Sequence, residues 1–403
     1  MQEIRPVTDG EFESWLRAES RAHSNRLDHE PEDLRPHFDL SRSLAVFEGS
    51  NIIGGCQAHK LEMSIPGGAS AVAGVSNVAV QPTHTRQGLM TRMMRRQMND
   101  IHEWGEPLAA LFASESAIYG RFGYGVGTVH ESWQIDRHHN TYARPFDSPG
   151  RVVFVAPEDA SEILPEVYRR SAAGRPGVFP KPPYKWEEEA ASPDAHEPMP
   201  RVRGRGRGGL FYAAYEQDGR VDGYVIYRSN RPTVMVTELM AATKEAAAAL
   251  WRFCFDLDLM SNTEAIKRPL DDPLPWMLLD PRRLQRTVRD GVWIRVVDVA
   301  AALEQRSYAE QGRLTLDVRD DLCPWNNGRF ELEGSAEGAS CRPTDSEPDL
   351  TIVVSGLASA YLGTVSFTTL AGAGLADEHS PGALHRADRM FAVQHQPWTP
   401  FNF

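Results

Sequence analysis

Residues 75–90 read Val75-Ser-Asn-Val-Ala-Val-Gln-Pro-Thr-His-Thr-Arg-Gln-Gly-Leu-Met90. Val78 and Val80 alternate with smaller residues, the period of a half-buried strand. Pro82 has no N–H for a ladder and ends that strand. A polar loop over 83–87 follows. Gly88 then opens a run to Glu103 in which Met90, Met93, Met94, Met98 and Ile101 recur near helical spacing. The reading is strand, tight turn, helix. Such a turn gathers free backbone N–H groups and the positive end of a helix dipole at one point, which favours a polyanion such as a pyrophosphate. Gly88 lets a ligand approach the backbone closely, and Arg86 offers a charge-assisted contact.

A second segment lies downstream, Ala113-Ser-Glu-Ser-Ala-Ile-Tyr-Gly-Arg-Phe-Gly-Tyr-Gly125, after an apolar strand over 107–112. It reads as strand, short helix, glycine turn. The first stretch resembles motif A of the GNAT N-acetyltransferases, in which a strand, then R/Q-x-x-G-x-G/A, then a helix cradles the pyrophosphate of acetyl-CoA. The matching residues are Thr85-Arg86-Gln87-Gly88-Leu89-Met90. Thr85 stands where Arg or Gln is usual, and Met90 where Gly or Ala is usual. The second segment resembles the tyrosine segment Y-x-x-x-G-F/Y of that family, with Tyr119 as the matching tyrosine. Together with the Cys323-Pro-Trp-Asn326 tetrapeptide and the terminal Phe403, these residues make the whole chain similar to the enhanced intracellular survival (Eis) acetyltransferases.

That resemblance implies a fold of mixed α/β and α+β class. Two tandem GNAT-like domains are expected, 1–148 and 149–291, the second degenerate and completing the substrate cleft. A sterol-carrier-protein-like α+β domain, 292–403, would deliver the C-terminal carboxylate. It implies acetyl-CoA as cosubstrate and no metal. Val78, Ala79, Val80, Thr85, Arg86, Gln87, Gly88, Leu89, Met90, Ser114 and Glu115 are the expected cofactor-binding positions. Tyr119 and the Phe403 carboxylate are the expected catalytic groups, and Asp28 and Asn402 the expected substrate contacts. The implied substrate is a primary amine of a cationic small molecule such as an aminoglycoside, acetylated at one or several positions, with lysine side chains as further acceptors. A homohexamer built as a dimer of trimers is implied by the resemblance alone. The alternative is a non-catalytic sensor that keeps the fold and binds acyl-CoA or another ligand.

Composition bounds these readings. The chain has 403 residues, enough for two or three domains. Its net charge of −12 argues against a nucleic-acid or anionic-membrane partner and for cationic ligands. No apolar run approaches the length of a membrane helix, and Met-Gln-Glu-Ile-Arg has no signal-peptide core. Cys56, Cys254, Cys323 and Cys341 are scattered, without zinc or redox spacing, so reduced thiols and a cytoplasmic location are expected. The run Arg201 to Gly209 is basic but short and lacks interleaved aromatics, so it reads as a loop rather than an RNA-binding segment.

Along the chain, Thr8 is an expected N-cap, and Pro145 to Gly150 an expected boundary. Gln217-Asp-Gly-Arg220 is a hairpin turn between the strands Leu210 to Glu216 and Val221 to Arg228. The strand Val234 to Ala241 runs into a helix capped by Thr243, repeating the earlier order without a glycine-bearing loop. The second domain therefore lacks the means to hold a phosphate in the same way. Leu278 to Asp290 reads as a closing helix. Later strands over 292–297, 312–319, 328–334 and 349–355 alternate with helices.

Acetyl transfer to an amine needs a neutral nucleophile, a polarised thioester carbonyl and a proton for the leaving thiolate. A terminal carboxylate has an ordinary pKa of ~3.5 and an alkylammonium ~10.4, so a carboxylate serves as base only when its site raises its basicity and holds the amine close. A tyrosine at ~10 matches a thiolate as its acid. The N–H of Val80 is placed by the motif to polarise the thioester carbonyl.

Overall fold

The computed structural model describes residues 2–25, 27, 30–191 and 209–403. Asp28 and residues 201–208 of the basic run lie outside the described residues. The chain divides into two compact units. One comprises Met1–Thr128, Gly291–Gln394 and Phe403, the other Val129–Asp290 and His395–Asn402.

The first unit is built on a seven-stranded sheet in the order Gln2–Pro6, Ser43–Glu48, Asn51–Ile65, Gly68–Val80, Leu108–Phe112, Val292–Val296, Gly125–Val126. Thr8 and Glu11 form a capping box ahead of the helix Phe12–Ala22, which buries Phe12, Trp15 and Leu16. The helix Leu89–Glu103 buries Met93, Met94, Met98 and Ile101 against the sheet. The hairpin Asn51–Ile65/Gly68–Val80 is one long pair. Residues 61–65 extend the strand over 52–60 rather than forming a separate one.

The second unit carries another seven-stranded sheet, ordered Gln285–Asp290, Val129–Asp136, Asn262–Arg268, Thr233–Ala241, Arg220–Asn230, Leu210–Gln217, Arg151–Val155. Asp218 and Gly219 both have positive φ, 51° and 77°, as the tight Asp-Gly hairpin turn requires. The helix Lys244–Asp256 buries Ala246, Leu250 and Trp251.

One sequence expectation is corrected here, and two strands sort between the sheets by pairing rather than by order in the chain. Val129–Asp136 joins the second sheet, and Val292–Val296 returns to the first, pairing with Leu108–Phe112. Alternation marks 129–136 as a strand, with Glu131, Trp133 and Ile135 buried, but does not say which sheet receives it. Leu278 to Asp290 is not a helix. It contains a single 3-10 turn, Pro281–Arg283, then the strand Gln285–Asp290, which pairs with Val129–Asp136. Every residue of that strand is exposed, so a helix there would have no apolar face to bury. Its register is pinned where Arg286 donates twice to the buried Glu131, at 2.7 and 2.6 Å.

The C-terminal part of the first unit adds a five-stranded sheet ordered Gly338–Pro343, Gly328–Ser335, Gly312–Arg319, Leu350–Val353, Ala376–Glu378. Its link to the first sheet is polar and fully buried. Arg295, on Val292–Val296, donates to both carboxylate oxygens of Asp320 at 2.7 and 2.6 Å. Asp320 also accepts from the N–H groups of Leu322 and Cys323 and from Asn326 Nδ2. Asn326 Oδ1 in turn takes the N–H of Val299, so the Cys-Pro-Trp-Asn tetrapeptide is a structural clamp. Cys56, Cys254, Cys323 and Cys341 are all free and buried.

Candidate active site

The parallel ladder between Gly68–Val80 and Leu108–Phe112 runs only from Val72↔Leu108 to Gly74↔Ala110. Beyond it the two strands part. Gly68–Val80 also carries a bulge, because its register with Asn51–Ile65 slips between Gly55↔Ala79 and Gln57↔Ser76. Asn77 takes the extra position with φ 54°. A bulge twists a strand and re-aims its side chains. Here it turns Val78, Ala79 and Val80 along the opening, with the facing edge of the strand free of ladder bonds.

The opening is a cleft of about 460 Å³. Val78–Val80 form one wall, the turn and first residues of the Leu89–Glu103 helix the floor, and Ser114, Glu115 and Tyr119 the other wall. Arg86 and Gly88 both have positive φ, 62° and 74°. Gly88 caps the helix without any side-chain acceptor, and no acidic residue stands in the first turn. The first bond of the helix is Arg92 N–H to Gly88 O at 3.1 Å, so the N–H groups of the opening turn are unclaimed by the helix. A methyl group built on Gly88 would meet nothing within 4 Å, so the turn is open on the cleft side.

The charge of the cleft is opposite to that of the chain. Arg86 and Arg121 line it with His23 and His84, and among the described residues Glu115 is the one acidic group in the lining. Donation from His23 Nδ1 to the Glu19 carboxylate raises the pKa of His23, favouring its charged form. Thr85 turns its hydroxyl onto Pro82 O at 3.2 Å and brings no cation. Arg121, whose Nη2 lies 3.7 Å from Met90 Sδ, stands at the cleft instead.

Tyr119 ends the short helix Ser116–Tyr119 and is 6% exposed. Burial raises its pKa, with smaller contributions from Cys56 and Glu115, so the phenol keeps its proton across the neutral range. The ring stands edge-on to Tyr124, with centroids 5.9 Å apart. The turn that follows packs on the sheet's own strand Val292–Val296. Gly123 has φ 82°, and a methyl group on it would stand 2.7 Å from Arg295 Cζ.

Phe403 belongs to the same unit. Its ring centroid is 5.2 Å from Phe112 and 6.4 Å from His59, and His59 Nε2 lies 2.8 Å from Ser76 Oγ. Thus the terminal residue sits on the same pair of strands that part to form the cleft.

Of the residues expected to hold a cofactor, Val78, Ala79, Val80, Thr85, Arg86, Gly88, Leu89, Met90, Ser114 and Glu115 line the cleft together with Tyr119. Gln87 does not; its side chain accepts from Gln2 Nε2 at 3.4 Å. Asn402 lines a separate cavity of about 120 Å³ inside the second unit, beside Lys181, Glu189 and Glu238. Sequence reasoning missed His23, Ile118 and Arg121 in the cleft and His59 beside Phe403. Arg121 lies within the tyrosine segment and was legible there as a cation two residues after Tyr119. His23 and His59 carried no local signal.

The profile of an acetyltransferase (GNAT) domain matches residues 3–127, a second acetyltransferase (GNAT) profile matches 177–296, and a sterol carrier protein domain profile matches 299–400. An uncharacterized N-acetyltransferase of Streptomyces avermitilis is 39% identical over 378 residues, covering 91% of this chain and 90% of the relative. The N-acetyltransferase Eis of Mycobacterium tuberculosis is 35% identical over 369 residues, covering 88% of this chain and 87% of the relative. The crystal structure of Eis1 from Mycobacterium abscessus matches with a TM-score of 0.84 at 33% identity, covering 100% of both chains.

Proposed function

The chain belongs to the Eis family of GNAT N-acetyltransferases and is an acyltransferase with an acyl-CoA cosubstrate, and from that premise we propose that it moves an acetyl group from acetyl-CoA to a primary amine of a cationic small molecule, of which an aminoglycoside is the leading example. The observation that carries this reading is the charge reversal at the cleft: a chain of net charge −12 presents Arg86, Arg121 and two histidines around an open helix N-terminus. That combination suits a pyrophosphate.

In this reading the Gly88 turn and Arg121 hold the diphosphate, and the pantetheine arm lies along Val78–Val80 where the strands part. The amine loses a proton to the Phe403 carboxylate and attacks the thioester carbonyl, whose developing oxyanion is stabilised by the N–H of Val80. The carbon–sulfur bond breaks as the tetrahedral centre collapses, and Tyr119 donates its proton to the departing thiolate. The buried phenol is suited to that role because it remains protonated. Transfer is direct, with no acyl-enzyme. Asp28 is the proposed amine contact.

The test is release of free thiol from acetyl-CoA against aminoglycosides, polyamines and lysine peptides, using the native chain, a chain lacking Phe403, and Tyr119→Phe. Turnover that falls in both variants supports both roles. Turnover indifferent to Phe403 removes the carboxylate as base. Acetyl-CoA binding without turnover of any amine favours a sensor instead.

A further inference from the structure

The second unit repeats the wedge of the first. Thr233–Ala241 and Asn262–Arg268 are parallel neighbours whose ladder runs from Thr233↔Asn262 to Val236↔Ala265 and then stops. A helix, Lys244–Asp256, follows the first of them, and a cavity of about 310 Å³ opens where they part. Yet the helix start is closed. Thr243 Oγ1 accepts the N–H of Ala246 at 3.2 Å, a bond that Gly88 cannot make in the first unit. No glycine stands between Ala241 and Lys244.

Part of the wedge is taken up by the chain itself. Arg268 spans the gap, donating from Nη1 to Leu239 O at 2.8 Å. Trp398 enters beside it, 4% exposed, packed among Tyr224, Ile226 and Met240, with Nε1 donating to Lys267 O at 2.8 Å. Lys267 holds φ at 51°, so its carbonyl departs from the ordinary strand direction at the residue that accepts the Trp398 indole. Four further contacts fix the main chain around the indole. Trp398 N–H donates to Pro176 O at 3.0 Å. Arg175 Nη1 donates to Gln396 O at 2.7 Å and pairs with Asp271 at 2.7 Å, and Asp271 accepts the N–H of Gln396 at 3.1 Å. Pro397 and Pro400 restrict φ on either side of the anchored residue.

We infer that the second unit's cofactor-like wedge is the anchor of the C-terminal tail, and that Trp398, seated by Lys267 O and by the Arg175–Asp271 pair, is the positioning residue for the Phe403 carboxylate. Trp398 touches no reacting atom in this account; it acts through Thr399, Pro400, Phe401 and Asn402. The catalytic consequence rests on the reading of Phe403 as base, whereas the anchor itself does not.

Two readouts separate these. The first is release of Phe403 by carboxypeptidase A, which needs a loose chain end and no catalysis. Release from Trp398→Ala is expected to be at least about tenfold faster than from the native chain, with Trp398→Phe between them. An unchanged rate overturns the anchor. The second is a double-mutant cycle on thiol release. Trp398→Ala is expected to lower kcat about tenfold or more with the KM for acetyl-CoA unchanged, and to have no further effect in the chain lacking Phe403. An equal loss in both backgrounds overturns action through the terminus. Full activity of the chain lacking Phe403 overturns the base reading alone, since the protease result stands apart. If Trp398→Ala does not fold, Asp271→Asn, which weakens the partly exposed end of the anchor, is read by the same two measurements.

Discussion

The ring of Phe403 rests on Gly74: a methyl group built on Gly74 would stand 2.9 Å from the Cε2 atom of Phe403. Gly74 forms the last pair of the parallel ladder, opposite Ala110, so the chain terminus lies at the point where the strands separate. A side chain on Gly74 would displace the ring.

Gly74→Ala is therefore expected to lower kcat about tenfold or more while leaving the KM for acetyl-CoA near its native value. The added methyl group also meets Leu61 Cδ1 at 2.3 Å, but that is the far end of a flexible side chain and can move. Steady-state kinetics of the variant with saturating amine is the check. A rise in the KM for acetyl-CoA with unchanged kcat would show that Gly74 serves the cofactor rather than the terminus.

Tyr119→Phe is expected to cost roughly 10²-fold in kcat, the lower range for loss of a general acid. The active form is the neutral phenol, and burial raises its pKa above the ordinary tyrosine value. Activity limited by this group therefore persists through the neutral range and falls only above pH ~10. The pH profile of kcat is the measurement. An alkaline limb starting below that value in the native enzyme would assign it to another group.

Gly88→Ala introduces a Cβ into open space but at φ 74°. The left-handed conformation costs an alanine about 1–2 kcal/mol. The fold should survive, with a small drop in denaturation midpoint, and acetyl-CoA binding should weaken. Arg121→Ala is expected to weaken it as well, by about tenfold or more, since bonds to charged groups are worth roughly 1.5–3 kcal/mol. Calorimetric titration at two salt concentrations distinguishes them. The native affinity should fall with salt, and the Arg121 variant should lose part of that dependence.

Arg295 and Asp320 are 0% and 1% exposed. Removing one partner leaves the other buried and uncompensated, so Asp320→Ala should destabilise the first unit by about 3–5 kcal/mol. Replacing both with apolar residues of similar volume should recover most of that loss. Urea denaturation of the two variants is the check, and equal destabilisation in both would show that the cost comes from the other bonds to Asp320.

The sequence by itself determined the local chemistry: a strand stopped by Pro82, a helix opened by Gly88, the Tyr119 turn, and the Thr243 cap that closes the second wedge. Each of these rests on bonds between near neighbours, so composition and spacing carry them. It also determined the succession of two GNAT units and a sterol-carrier-like domain. Only the tertiary structure decided that Val129–Asp136 and Val292–Val296 exchange sheets, because an alternating strand satisfies its buried face equally on either one. The same holds for Gln285–Asp290, where six exposed residues gave no periodic apolar face and the ladder with Val129–Asp136 fixed the conformation. Arg121 lining the cleft beside Met90, and Trp398 seated on Lys267 O, join residues far apart in the chain. No local pattern encodes such pairs, since their partners are set by how the strands part and what fills the gap.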